Sequence, residues 1–112
     1  MAEFTFTIRT PAGSVYEAQV DTLVVPGTDG SFGVLAGHAP MIAGVAPGIV
    51  EARLAGETRV FAVSGGVADV SPPRTVLLVD EAVSAADIWD AQEKLARLRH
   101  EREGGTGMTN AQ

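Results

Sequence analysis

The apolar residues of this chain change their period once, near Ser84, and that change divides it. Upstream they recur every second residue, as a strand with one buried face requires. Downstream they recur every third or fourth, as one side of a helix requires. In Glu3-Phe4-Thr5-Phe6-Thr7-Ile8-Arg9 both Phe and Ile8 fall on one face and the polar residues on the other. Glu17-Ala18-Gln19-Val20-Asp21 alternates likewise and runs into Leu23-Val24-Val25, an apolar run of the kind covered on both faces. Pro11, Gly13 and Ser14 turn the chain after the first strand, and Pro26-Gly27-Thr28-Asp29-Gly30 turns it again near Asp29. Residues 49–54 and 58–63 flank Ala55-Gly56-Glu57, which predicts a hairpin with glycine at positive φ. Residues 67–70, the Pro72-Pro73 turn and residues 75–79 complete a set of short strands that predicts an all-β sandwich or barrel.

From Ser84 the pattern is helical. Ser84 with Asp87 three residues later reads as a capping-box-like start, and Ile88, Ala91, Leu95 and Leu98 fall on one stripe. Asp90 with Lys94 and Glu93 with Arg97 are i,i+4 pairs, each contributing about 0.3 kcal/mol on an exposed face. Gly104-Gly105 predicts the end of the helix, and Met108 to Gln112 carries nothing that would order it. A helix from Ser84 to Glu103 is about 30 Å long, comparable with one side of a small sandwich. The expected organisation is mainly β: an antiparallel β-sandwich over residues 1–83, a short C-terminal α-helix over 84–103 and a flexible tail over 104–112.

The chain has 112 residues, enough for one modest core, and a formal charge of −6 that disfavours nucleic acid and anionic lipid as partners. Proteins are the better-matched partners. With no cysteine there is no disulfide framework and no thiolate chemistry. Met1 to Arg9 lacks a basic segment followed by an apolar one, so neither a signal nor a transit peptide is expected. Residues 31–50 carry no Asp, Glu, Lys or Arg, yet their four glycines, two prolines and His38 interrupt any membrane-spanning helix.

Catalytic patterns are missing from the sequence. His38 and His100 stand far apart with no ligand-spaced carboxylates, so His38 reads as structural or interfacial and no metal is expected. Gly65-Gly66 and Gly27-x-x-Gly30 lack the strand-to-helix context and the Lys-Ser/Thr element of a phosphate cradle, and no serine sits in a G-x-S-x-G elbow. No cofactor is implied.

The run Val24-Val25-Pro26-Gly27-Thr28-Asp29-Gly30-Ser31-Phe32-Gly33-Val34-Leu35, followed by Gly37-His38-Ala39-Pro40, resembles the core of the ATP synthase epsilon family. Pro47-Gly48-Ile49-Val50, Phe61-Ala62-Val63-Ser64-Gly65-Gly66 and Thr75-Val76-Leu77-Leu78-Val79-Asp80 continue the resemblance in order, from about Phe4 to Leu98. It implies an N-terminal β-sandwich of some ten strands in two sheets with a C-terminal helical segment. It also implies a rotor subunit of the central stalk that joins the gamma subunit to the ring of membrane c subunits, peripheral on the cytoplasmic face of a bacterial inner membrane. The family motif places the c-ring contact on Thr28, Asp29, Gly30, Ser31, Phe32, Gly37, His38, Ala39 and Pro40, with Ser31 standing where an acidic residue is frequent.

Phe61, Val63, Leu77 and Val79 share one strand face, opposite Val60, Ala62, Val76 and Leu78, and a sandwich this small leaves apolar surface for a helix or partner to cover. The gamma contact is assigned to Phe61, Val63, Leu77 and Val79. Some family members bind ATP through an Ile/Leu-Asp-x-x-Arg-Ala motif. The matching run here, Ile88-Trp89-Asp90-Ala91-Gln92-Glu93, replaces the acid with Trp89 and the arginine with Gln92, so no ATP site is expected. One helix replaces the family's two-helix hairpin, so inhibition of ATP hydrolysis should be weak or absent, and Trp89 reads as a packing anchor. A free-standing β-sandwich binding module, and a small hydrolase using His38 with Asp29 or Asp69, are the alternatives.

Overall fold

The computed structural model describes residues 2–111, with side-chain surroundings for residues 2–100. The elements are β1 (Phe4–Thr10), β2 (Gly13–Val20), β3 (Thr22–Gly27), β4 (Gly30–Leu35), β5 (Met41–Val45), β6 (Gly48–Leu54), β7 (Glu57–Val63), β8 (Gly66–Ser71), β9 (Arg74–Val79), β10 (Ala82–Ala85) and α1 (Ile88–Ala111). The strands fold over into two layers, β10-β7-β6-β3-β4 and β5-β8-β9-β1-β2. The layers are joined rather than separate sheets. Gly27 of β3 pairs with Val45 of β5, while Thr28 N–H donates to Gly44 O at 3.0 Å and Ala46 N–H to Pro26 O at 2.8 Å. Pairing is antiparallel except between β1 and β9, which run parallel.

Alternation along each strand sends one set of side chains inward. Phe4, Phe6 and Ile8 of β1, Leu23 and Val25 of β3, Val50 and Ala52 of β6, Phe61 and Val63 of β7, and Leu77 and Val79 of β9 meet in one buried cluster. Burying a side chain such as Phe6 or Leu77 contributes roughly 1.5–3 kcal/mol. At the β2 edge the Tyr16 ring lies 4.7 Å from that of Phe61 and 6.0 Å from that of Phe6, tilted against both, and so ties β2 to the opposite layer.

The β6–β7 hairpin closes through Ala55 and Gly56, both at positive φ, 52° and 85°. That pair matches the right-handed strand twist, at a cost for the alanine that glycine does not bear. Asp21 holds the turn, its Oδ2 accepting from Ala55 N–H at 3.0 Å. Gly66, by contrast, is required by space, because a Cβ there would collide with the Leu78 carbonyl oxygen.

The division near Ser84 moves downstream. Ser84 is not a helix cap but a β10 residue paired with Phe61, so the sandwich continues through Ala85. Asp87 is the cap: its Oδ1 accepts from Asp90 N–H at 2.8 Å, and Asp90 Oδ2 accepts in turn from Ala86 N–H at 2.8 Å. The Ala86 N–H, with Lys94 3.0 Å away, holds the Asp90 carboxyl below its usual range. Lys94 Nζ also donates to Ser84 O at 2.9 Å, tying the first helical turns to β10.

Helix α1 packs on β7, β10 and β6, burying Ala91 and Leu98 and half-burying Leu95, and Val60 and Ala62 of β7 are buried on the side away from the core cluster. Trp89 is 75% exposed and is therefore not the packing anchor expected. Its position falls off the Ala91-Leu95-Leu98 stripe and turns the indole to solvent. The helical backbone reaches Ala111, past the Gly104-Gly105 pair where the sequence places its end, since glycine weakens a helix by about 1 kcal/mol per residue without forbidding it. The expected flexible tail over 104–112 includes Gln112, which lies outside the described residues.

Candidate functional site

The Thr28-Asp29 turn joins β3 to β4 between the paired residues Gly27 and Gly30. Gly27 is needed there because a Cβ would stand 2.6 Å from Gly30 O and 3.0 Å from the Phe32 ring. Thr28, Asp29, Gly30 and Ser31 are exposed, whereas Phe32 folds back against the core. The turn faces Met41, Ile42, Ala43 and Gly44 of β5 across an open cleft of about 490 Å³. Asp29 is the one ionisable residue among those lining it.

The second predicted segment runs into the start of β5 at Met41, whereas the Thr28 turn bonds near its end at Gly44. His38 N–H donates to Leu35 O at 3.1 Å, closing a turn through Gly37 at φ 82°. His38 Nδ1 stands 2.7 Å from Ala39 O, and because a carbonyl only accepts, that nitrogen carries the proton. Gly37 and His38 line a narrow hollow with Phe4, Leu35, Val70 and Arg74, while Pro40 is exposed just before β5. Met41 pairs with Val70, so this hollow and the Asp29 cleft share the β5–β8 ladder. His38, Asp29 and Asp69 line three different hollows, an arrangement that gives the hydrolase alternative no shared site.

The four residues assigned to gamma need correction. Phe61, Val63, Leu77 and Val79 are 2%, 0%, 0% and 4% exposed and belong to the core. On β9 the outward parity is that of Val76 and Leu78, and on β7 the outward Val60 and Ala62 lie under α1. An outward apolar surface does exist, on the other layer. Cross-strand pairing sets out one row as Ile42, Asp69, Val76, Thr7 and Glu17, and the next as Gly44, Val67, Leu78, Arg9 and Ser14. Ile42 is 75% exposed, Leu78 50% and Val67 42%.

Sequence reasoning missed Ile42 and Val67. Met41-Ile42-Ala43-Gly44-Val45 is apolar at both parities, so period two gives it no inside or outside. The readable signal was in β8, where Asp69 marks the parity that includes Val67 as outward.

The beta-sandwich domain of the ATP synthase delta/epsilon chain matches residues 3–85. An ATP synthase epsilon chain of Rhodopseudomonas palustris is 40% identical over 92 residues, covering 82% of this chain and 68% of that relative. One from Anoxybacillus flavithermus is 41% identical over 96 residues, covering 86% and 72%. A chain in the OSCP/F1/c-ring structure of the Euglena gracilis mitochondrial ATP synthase superposes with TM-score 0.73 at 28% identity over 93% of this chain. A chain of the Tetrahymena thermophila central stalk/c-ring structure shares the fold, with TM-score 0.62 at 18% identity over 73% of this chain. This chain spans 66% of the length of each of those two. With its sandwich matched from residue 3 to residue 85 and relatives at 40% and 41% identity, the chain belongs to the ATP synthase epsilon family, a non-catalytic subunit of that enzyme.

Proposed function

We infer that the chain is a rotor subunit of the central stalk, passing c-ring rotation through gamma to the catalytic head. The observation that carries this reading is a pair of exposed surfaces that adjoin β5, polar loops on its flanks and an apolar outer side on its layer. The Thr28–Phe32 turn and the Gly37, His38 and Pro40 segment flank β5 as polar loops suited to the loops of a ring. The outward Ile42, Val67, Val76 and Leu78 form an apolar face suited to a large partner. The c-ring and central-stalk assemblies of the two structural neighbours supply the partners by analogy, and gamma is assigned to the apolar face.

A part that transmits torque needs a body that does not shear. The continuous hydrogen-bonded path through both layers and the single packed core provide one. Helix α1 already spends its apolar stripe on β7 and β10, which supports weak restraint of ATP hydrolysis. Among the described residues no helix is long and apolar enough to cross a membrane. On this reading the complex holds the protein at the cytoplasmic face of a bacterial membrane.

Reconstitution of the matching ATPase with and without this chain tests the reading. Co-assembly with gamma and restored ATP-driven ion pumping, with little loss of hydrolysis, is expected. Failure to co-assemble would favour a stand-alone binding module.

A further inference from the structure

On the bare outer face the apolar residues Ile42, Val67, Val76 and Leu78 adjoin one carboxylate, with Thr7, Arg9, Ser14 and Glu17 toward the β1–β2 edge. Asp69 lies in the ladder between Ile42 and Val76, with Val67 two residues before it on the same parity. It is half-buried, and its Oδ1 accepts from Ser71 Oγ at 2.7 Å. Among the described residues Asp69 forms no ion pair. Arg74, opposite Ser71 in the neighbouring row, lines the same hollow of about 320 Å³ with Asp69, Thr5 and Val76, but no ion pair joins it to the carboxylate.

A partner that covers Ile42, Val76 and Leu78 must also take Asp69 out of water. A carboxylate desolvated among apolar side chains opposes association unless a cation or a strong donor meets it. The chain's net charge of −6 adds a long-range preference for a basic partner.

Resting on the reading of this face as the gamma contact, we propose that Asp69 is its specificity-determining residue and receives an Arg or Lys of gamma set within an otherwise apolar surface. The aliphatic residues supply area without register, since any apolar surface of similar shape satisfies them. The carboxylate supplies register, because a partner displaced by one residue leaves both charges buried and unpaired. Ser71 is a positioning residue that fixes the carboxylate by its hydrogen bond to Oδ1.

The test measures affinity of the full chain for the purified gamma subunit, in low and high salt, for the unaltered protein and for Asp69→Asn, Ile42→Asp and Arg74→Gln. Asp69→Asn should weaken binding by roughly 30-fold or more and flatten the salt dependence, and Arg74→Gln should change little. Ile42→Asp should abolish binding.

If Asp69→Asn binds within about threefold of the unaltered chain while Ile42→Asp does not bind, the proposal falls and the gamma face stands. If Arg74→Gln loses as much as Asp69→Asn, the cation comes from this chain and the proposal falls. If Ile42→Asp binds normally, the gamma reading itself is wrong. Should Asp69→Asn not fold, Ser71→Ala, which releases the carboxylate from its fixed position, decides: weakened binding supports the pairing and unchanged binding overturns it.

Discussion

The layer β10-β7-β6-β3-β4 and the layer β5-β8-β9-β1-β2 both carry apolar side chains on their outer surfaces, but a helix covers only the β10-β7-β6 part of the first. Val60 and Ala62 of β7 are buried where α1 packs, while Ile42, Val67 and Leu78 meet solvent. The chain can bury one outer face with its own helix. The other remains as surface for a partner, so the same apolar pattern stabilises the fold on one side and supports assembly on the other.

Substitutions on the two faces should separate these roles. Leu77→Ala should have the largest effect on stability, a loss of roughly 2–5 kcal/mol in urea unfolding, because Leu77 is wholly buried between the layers. A small loss would mean that Leu77 is available to a partner after all. Leu98→Ala should weaken the docking of α1 by about 2 kcal/mol, seen as faster amide exchange in the helix with the strands still protected. Leu78→Ser, on the bare face, should change unfolding stability by no more than about 0.5 kcal/mol while reducing co-purification with gamma. Loss of stability as large as that from Leu98→Ala would mean that something within the chain covers this face too.

The smallest effect is electrostatic. The Asp90 carboxyl is held below its ordinary value of 3.8 by the Ala86 N–H first and by Lys94 second. A depressed folded value stabilises the fold above pH 3.8, and that contribution is lost as pH falls through the lower folded value. The start of α1 should therefore loosen only at strongly acidic pH. Asp90→Asn should remove that dependence from the circular dichroism of the helix.

Much of the fold is legible in the sequence where polar and apolar residues alternate. Phe4-Thr5-Phe6-Thr7-Ile8 gives β1 its inward face directly, and Ala55-Gly56 marks the β6–β7 hairpin. Legibility fails where both parities are apolar or both are small. Val76-Leu77-Leu78-Val79 fits either orientation, and the assignment of Leu77 and Val79 to an interface came from that ambiguity. Ala82-Val83-Ser84-Ala85 has too little contrast to announce β10, so Ser84 reads as a cap although it pairs with Phe61. The turn part of the site was readable because Pro26, Gly27 and Gly30 impose backbone geometry. The face was not, because it exists only after β5, β8 and β9 come together.

The most direct test of the covered and bare faces uses the absence of cysteine from the sequence. Leu78→Cys on the bare face and Trp89→Cys on the outer side of the helix would each be labelled with a maleimide, in the free chain and in the assembled ATPase. The account predicts that Leu78→Cys reacts when free and is protected on assembly, while Trp89→Cys reacts in both. Equal labelling of Leu78→Cys in the free and assembled states would contradict it.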